Sequence, residues 1–356
     1  MFALIRLAWP CFATLLLAAC QPSRPDVSAA RDPAARTEAL LADYQGNAPG
    51  AALLVVRDGQ ALVRRGFGLA ELETGRAVTP ATSFRLASVS KQFTATAVLL
   101  LAQDGALSIE DPARRWLPEL PASTEAITLR HLLSHTSGLL DYEDLMDPAD
   151  ARQVQDADVL ALLARESGGY FAPGTGYRYS NSGYALLALI VERASGQRYA
   201  DFLRERIFTP LHMKSVAFEE GRSRVSERAF GYSRVDGRWQ RTDQSTTSAV
   251  LGDGGIYASI DDLARWDAAL YDERLLHEPW RSLAVTPATA TDEPDVAFYG
   301  FGWRIQDDMQ WHSGETIGFR NVILRWPAQR LTVVLLTNRN DPEPYALARR
   351  IAALWQ

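Results

Sequence analysis

The sequence predicts an α+β fold: a mostly antiparallel sheet built from both ends of the chain and flanked by helices, with a mainly helical region inserted between. Three observations predict it. Near the N-terminus, "GAALLVVRDGQALVRRGFG" holds two β-rich runs separated by Asp58-Gly59, a tight-hairpin dipeptide. Between residues 109 and 196, helical patterns such as "DADVLALLARES" and "GYALLALIVERASG" alternate with Gly/Pro turns. In the last third, "YGFGWRIQ", "MQWHSG", "GFRNVILRW" and "RLTVVLLTN" read as four strands, followed by a helix in "PYALARRIAALW". Strands at both ends with helices between them describe a domain inserted into a domain. The expected boundaries are 37–104 with 246–356 for the sheet domain, and 105–245 for the insertion.

Ahead of these elements, "MFALIRLAWPCFATLLLAAC" has one early positive charge, Arg6, then an apolar stretch and small residues ending in Cys20. That is the layout of a signal peptide over residues 1–19. Its "LAAC" ending is similar to the lipobox of bacterial lipoproteins, which implies lipidation of Cys20. The other cysteine, Cys11, falls inside the signal, so the mature chain has no pair for an internal disulfide. "QPSRPDVSAARDPAAR" is rich in Pro, Ser and Ala without apolar periodicity and reads as a tether over 20–36. A short helix is expected over 37–45. The expected location is exported, lipid-anchored to a bacterial membrane and facing the periplasm.

With 356 residues and 47% hydrophobic content the chain can bury a large core. A net charge of −6 and a pI near 5.5 give no reason to expect a nucleic-acid partner. No zinc-type Cys/His spacing occurs, and no metal or cofactor is expected. The expected partner is a small-molecule or short-peptide substrate, bound by a monomer.

Lysine usage points to the chemistry. The chain has two lysines, Lys91 and Lys214, against 35 arginines. Lys91 stands three residues after Ser88 in "FRLASVSKQF", at the start of a run apolar nearly all round and stopped near Gly105. If a helix starts near Ser88, the two side chains are neighbours on one face. A desolvated lysine can take a proton from a hydroxyl, which arginine cannot do. The Ser88 N–H at a helix start would favour a developing oxyanion. The bland alternative is a helix N-cap followed by a solvated charge.

Two further stretches carry candidates. "PGTGYRYSNSGYALLALI" delivers Tyr179 and Asn181 from a turn into an apolar helix starting near Gly183. Tyr179 could exchange a proton, and Asn181 could hold a substrate amide, or the two could merely pack and cap. In "MQWHSGETIGF", His312-Ser313-Gly314 ends a strand, Gly314 allows close approach of a ligand, and the Glu315 N–H could be a second oxyanion donor. His131 and His135 lie one helical turn apart, but no third metal ligand is in view, so they read as structural. Glu166 reads as a surface charge at a helix end. No Gly-x-Ser-x-Gly elbow is present, which disfavours an α/β-hydrolase.

As an ordered set, Ser-x-x-Lys, Tyr-x-Asn and His-x-Gly resemble the serine penicillin-recognising enzymes. "LRHLLSHTSGL", "GDGGIYASIDDLARW" and "YGFGW" are similar to stretches of the β-lactamase-related family, which includes class C-like β-lactamases, DD-peptidases, D-aminopeptidases and esterases. The resemblance implies a β-lactamase/transpeptidase-like fold and an acyl-enzyme mechanism on amide, peptide or ester bonds. It implies Ser88 as nucleophile, Lys91 as its base and Tyr179 as proton exchanger. Asn181 and the triplet His312-Ser313-Gly314 would hold substrate, with Ser88 and Glu315 N–H as the oxyanion hole. The triplet departs from the Lys-Thr-Gly of many members, so a charged contact to a substrate carboxylate depends on the protonation of His312. The alternatives are a DD-carboxypeptidase, a class C-like β-lactamase, or a catalytically silent lipoprotein that binds cell-wall peptides.

Overall fold

A computed structural model of the chain describes residues 32–356. The expected signal peptide, Cys20 and the tether as far as residue 31 lie outside the described residues. The tether was expected to run to residue 36, but helix α1 (Pro33–Leu40) begins earlier. Asp32 caps it by accepting from the Ala34 N–H, and Pro33 stands at a first-turn position, where its missing N–H costs nothing.

The sheet has eight strands: β1 (Ala51–Arg57), β2 (Gln60–Phe67), β3 (Thr289–Ala290), β4 (Phe298–Tyr299), β5 (Arg304–Gln306), β6 (Met309–Thr316), β7 (Phe319–Trp326) and β8 (Leu331–Thr337). In space they run β3-β4-β5-β6-β7-β8-β1-β2, antiparallel throughout, so the two ends of the chain meet where β8 pairs with β1. The β1–β2 turn is the expected one, with Asp58 and Gly59 both at positive φ.

The apolar run of β1 is explained by two cores. Ala52, Leu54 and Val56 face the helical side, while Ala51, Leu53 and Val55 face α1 and the C-terminal helix Tyr345–Ala352. Side chains alternate across a strand, so a strand covered on both faces must be apolar at every position. Each such large side chain contributes about 1.5–3 kcal/mol on burial.

On the helical side, α2 (Lys91–Gln103) is buried from Lys91 to Ala102, as its all-round apolar pattern requires. It packs against α3 (Asn181–Ser195) and the short turn α4 (Leu251–Gly254). The insertion is not purely helical. Strands Tyr232–Val235 and Arg238–Arg241 form a second hairpin through Asp236-Gly237, and the Tyr232 N–H donates to the Asn338 carbonyl beyond β8. That part of the expected insertion therefore lies against the sheet.

Candidate functional site

Ser88 lies in a single 3₁₀ turn, Ala87–Ser90, and the α-helix proper begins at Lys91 rather than at Ser88. Ala87 has φ near 50°, a left-handed conformation costing a non-glycine residue about 1–2 kcal/mol. The surroundings hold it there. The Leu86 N–H donates to the Ile256 carbonyl, Asn321 Nδ2 donates to the Arg85 carbonyl, and Ser90 Oγ accepts from the Ile256 N–H. A Cβ at Gly314 would stand 2.0 Å from the Leu86 carbonyl oxygen. Gly314, expected to allow close approach of a ligand, allows close approach of the backbone that leads into the Ser88 turn.

Lys91 is fully buried, and its Nζ has three oxygen neighbours: Asn181 Oδ1 at 2.9 Å, the Asp253 carbonyl at 3.0 Å and Ser88 Oγ at 3.1 Å. The amide and backbone oxygens can only accept, so they claim two N–H groups of the amine. The third N–H donates to Ser88 Oγ, and an amine that gave up that proton would turn its lone pair to the Ser88 hydroxyl. That is the arrangement for lifting a proton from serine.

Asn181 is the first residue of α3, two positions earlier than expected, because Ser180 is the cap: its side chain accepts from the Gly183 N–H. The Asn181 N–H donates to Asp141 and its Nδ2 to Glu143 Oε1 at 3.1 Å. Tyr179 sits just outside the helix. Lys91 Nζ is 4.9 Å from its ring centroid, and its buried hydroxyl has no hydrogen-bond partner among the described residues. The His135 ring stacks on Tyr179 at 4.4 Å. His135 Nδ1 accepts from the Ser180 N–H, and His131 Nδ1 accepts from the Thr128 N–H, while the buried His135 Nε2 has no partner among the described residues.

His312 departs from its expected role. Its side chain is 0% exposed, and its ring does not reach the cleft. Nδ1 lies 2.5 Å from the Ser313 carbonyl, which can only accept, so Nδ1 carries the proton and Nε2 accepts from the Tyr299 hydroxyl at 3.0 Å. Burial first, then the Arg304 and Lys91 charges, hold its pKa well below the usual imidazole value, so it is neutral at physiological pH. The fixed cation on this side is Arg304, its guanidinium 5.4 Å from the Tyr179 ring centroid and paired with Glu293.

Over Ser88 opens a small cleft lined by Ser88, Glu143, Asn181, Thr247, Asp253 and Glu315 among others. Tyr179 and the triplet His312-Ser313-Gly314 stand outside its lining. The structure thus brings Ser88, Lys91, Tyr179 and Asn181 together, puts Glu315 on the Ser88 wall, and uses Gly314 and His312 as internal supports. The sequence reading missed the carboxylates. Burial and neighbouring Asp141 raise the Glu143 pKa. Burial pushes Asp253 up to about 7 against the opposing pull of Lys91, and the Tyr142 hydroxyl donates to its Oδ2 at 3.1 Å. The acidic residues in "LDYEDL" and "GDGG" were the available signal.

The beta-lactamase family model matches residues 33–354. Penicillin-binding protein 4* of Bacillus subtilis (strain 168) is 33% identical over 316 residues, 83% of this chain and 69% of that protein. Protein flp of Staphylococcus aureus (strain MRSA252) is 28% identical over 314 residues, 83% of this chain but 61% of its own length. An octameric penicillin-binding protein homologue from Pyrococcus abyssi superposes with a TM-score of 0.79 at 24% identity, covering 91% of this chain and 76% of that one. The D-amino acid amidase from Ochrobactrum anthropi SV3 complexed with D-phenylalanine gives 0.77 at 24% identity, covering 91% and 99%. These last two likenesses are of fold.

Proposed function

The chain belongs to the beta-lactamase family, and from that premise we propose that it is a serine hydrolase that opens amide or ester bonds through an acyl-enzyme on Ser88. The observation that carries this reading is the Lys91 amine, whose two obligate acceptors leave its third position to the Ser88 hydroxyl. Ser88 Oγ attacks the carbonyl as its proton passes to Lys91. The Ser88 and Glu315 N–H groups would hold the oxyanion, and Tyr179, with its hydroxyl unpartnered in the resting site, would pass a proton to the leaving group. Water then releases the acyl group.

The substrate class follows from charge. Among the described residues, Glu143, Asp253 and Glu315 line the cleft together with Arg85, which is buried and donates to the Ser248 carbonyl, while Lys91 lies beneath Ser88. With His312 neutral, these walls favour a substrate bearing an amine, such as an amino-acid amide or short peptide, over one bearing a carboxylate. A DD-carboxypeptidase or β-lactamase role is correspondingly disfavoured. Lipid anchoring at Cys20, export and a single-chain state belong to the same proposal. The first two rest on "LAAC" at the end of an apolar segment.

The test is intact-mass spectrometry with a fluorophosphonate and a panel of amino-acid amides, esters and penicillins. One acyl adduct on the wild type, absent from Ser88→Ala, is the expected result. An adduct of equal yield on Ser88→Ala would place the chemistry elsewhere.

A further inference from the structure

The two oxygens that claim Lys91 are tied to each other through a closed ring of contacts. Lys91 bonds Asn181 Oδ1, and Asn181 bonds Asp141 and Glu143. Between those two stands Tyr142, fully buried, whose hydroxyl reaches Asp253 Oδ2. The carbonyl of the same Asp253 returns to Lys91. Asp253 is thus bound twice, once by its backbone to the amine and once by its carboxylate to the loop that holds Asn181. Asp156 fixes this corner from below, accepting the N–H groups of Leu251 and Gly252 at the start of α4.

We propose that Asp253 is a positioning residue for the Lys91–Ser88 pair, its carbonyl aiming the amine while its carboxylate, gripped by Tyr142, acts as a charge brake on proton release from Lys91. The inference rests on the acyl-enzyme reading above. A carboxylate beside an amine favours the ammonium, and only the free amine can accept the serine proton. The charged or titratable groups facing Asp253 include Lys91 from α2, Tyr142 and Glu143 from the short helix Tyr142–Leu145, Arg85 from the strand before the Ser88 turn, Asp156 and Tyr199. Asp253 carries its proton up to about pH 7, where the brake is off, and ionises above it, where the brake is on.

Asparagine at 253 keeps the shape, the backbone carbonyl and an acceptor for Tyr142, but never ionises. The experiment compares acylation rates of wild type and Asp253→Asn by fluorophosphonate between pH 5.5 and 9. The expected ratio is near one at pH 6, where both side chains are neutral, rising to about 3–10-fold in favour of Asp253→Asn at pH 8.5. Tyr142→Phe removes the bond that favours the ionised carboxylate, so it should move partway in the same direction between pH 7 and 8. A ratio that stays constant with pH in both variants is what a merely structural residue gives, and it would overturn the proposal. Ser88→Ala runs alongside: labelling of that variant would overturn the acyl-enzyme reading itself, an outcome distinct from a flat Asp253→Asn ratio.

Discussion

Lys91 and His312 are both completely buried basic side chains within one site, yet their surroundings give them opposite fates. Around Lys91 the protein arranges oxygen: an amide, a backbone carbonyl, a serine hydroxyl and the carboxylates of Glu143 and Asp253 nearby. Around His312 it arranges aromatic rings and the Arg304 cation, with a carbonyl and a tyrosine hydroxyl that together suit one neutral tautomer. Depth alone does not decide what a buried base does. The acceptors within reach decide it, since burial without them costs a charge several kcal/mol.

The largest effect expected from breaking this contrast lies on the lysine side. Ser88→Ala should abolish turnover and adduct formation with the fold intact, checked by intact mass and far-UV circular dichroism. Lys91→Arg keeps a charge but has no accessible neutral form, so activity should fall about 10²-fold or more, close to Lys91→Ala. Near-wild-type kcat in the arginine variant would return Lys91 to a structural role.

Gly314→Ala probes the seam between the two halves of the site. Its Cβ would collide with the Leu86 carbonyl, and overpacking of this kind costs about 1–3 kcal/mol. A thermal melt and the acylation rate should fall together, because the same backbone carries Ser88.

On the histidine side, the expectation of a charged substrate contact is revised. An imidazole held neutral by burial and Arg304 has no charge to lose between pH 6.5 and 9. The pH–rate profiles of anionic and neutral substrates should run parallel there, and a carboxylate-specific fall would contradict the burial. His312→Lys should lower Tm without gaining anionic substrates, because the partners of the ring, the Ser313 carbonyl and the Tyr299 hydroxyl, carry no countercharge for the new ammonium.

The smallest effect is on stability. His135 and His312 are pushed below the ordinary imidazole value, whereas Asp156 and Asp253 are pushed up to about 7. From about pH 4 to 6.5 the unfolded chain holds extra protons on the histidines and the folded chain on the carboxyls, so the two linkages oppose. Asp253→Asn removes one falling contribution, and its Tm should tilt upward with pH across that window relative to wild type. His312→Gln should tilt the other way.

The parts of this molecule legible in the sequence are those set by local pattern. The β1–β2 hairpin follows from Asp58-Gly59, α2 from its all-round apolar run, and the Ser88–Lys91 pairing from spacing alone. The Asp236-Gly237 hairpin has the same turn dipeptide, but mostly polar residues flank it, so no apolar alternation marks its strands. The fate of His312 was not legible, since β6 is covered on both faces at Trp311 and His312, and no in–out alternation of polarity marks which side is buried. Nor was Asp253, whose contact with Lys91 depends on Asp156, nearly a hundred residues away, holding the turn between them.

The pairing of β1 with β8 has a consequence for synthesis. Ala51 faces Thr337 on one side and Phe67 on the other, so the sheet contains a junction between the first and last strands made. A ribosome delivers the N-terminal hairpin long before its principal neighbour exists. Until then, one edge of β1 is an open template for any other extended chain. Contacts this distant in sequence form slowly, and truncation ahead of Leu331 would leave a hairpin with no sheet to join. A circular permutant that joins residue 356 to residue 32 and opens at an exposed loop would bring β8 and β1 closer in sequence. It should fold faster, with the native site unchanged.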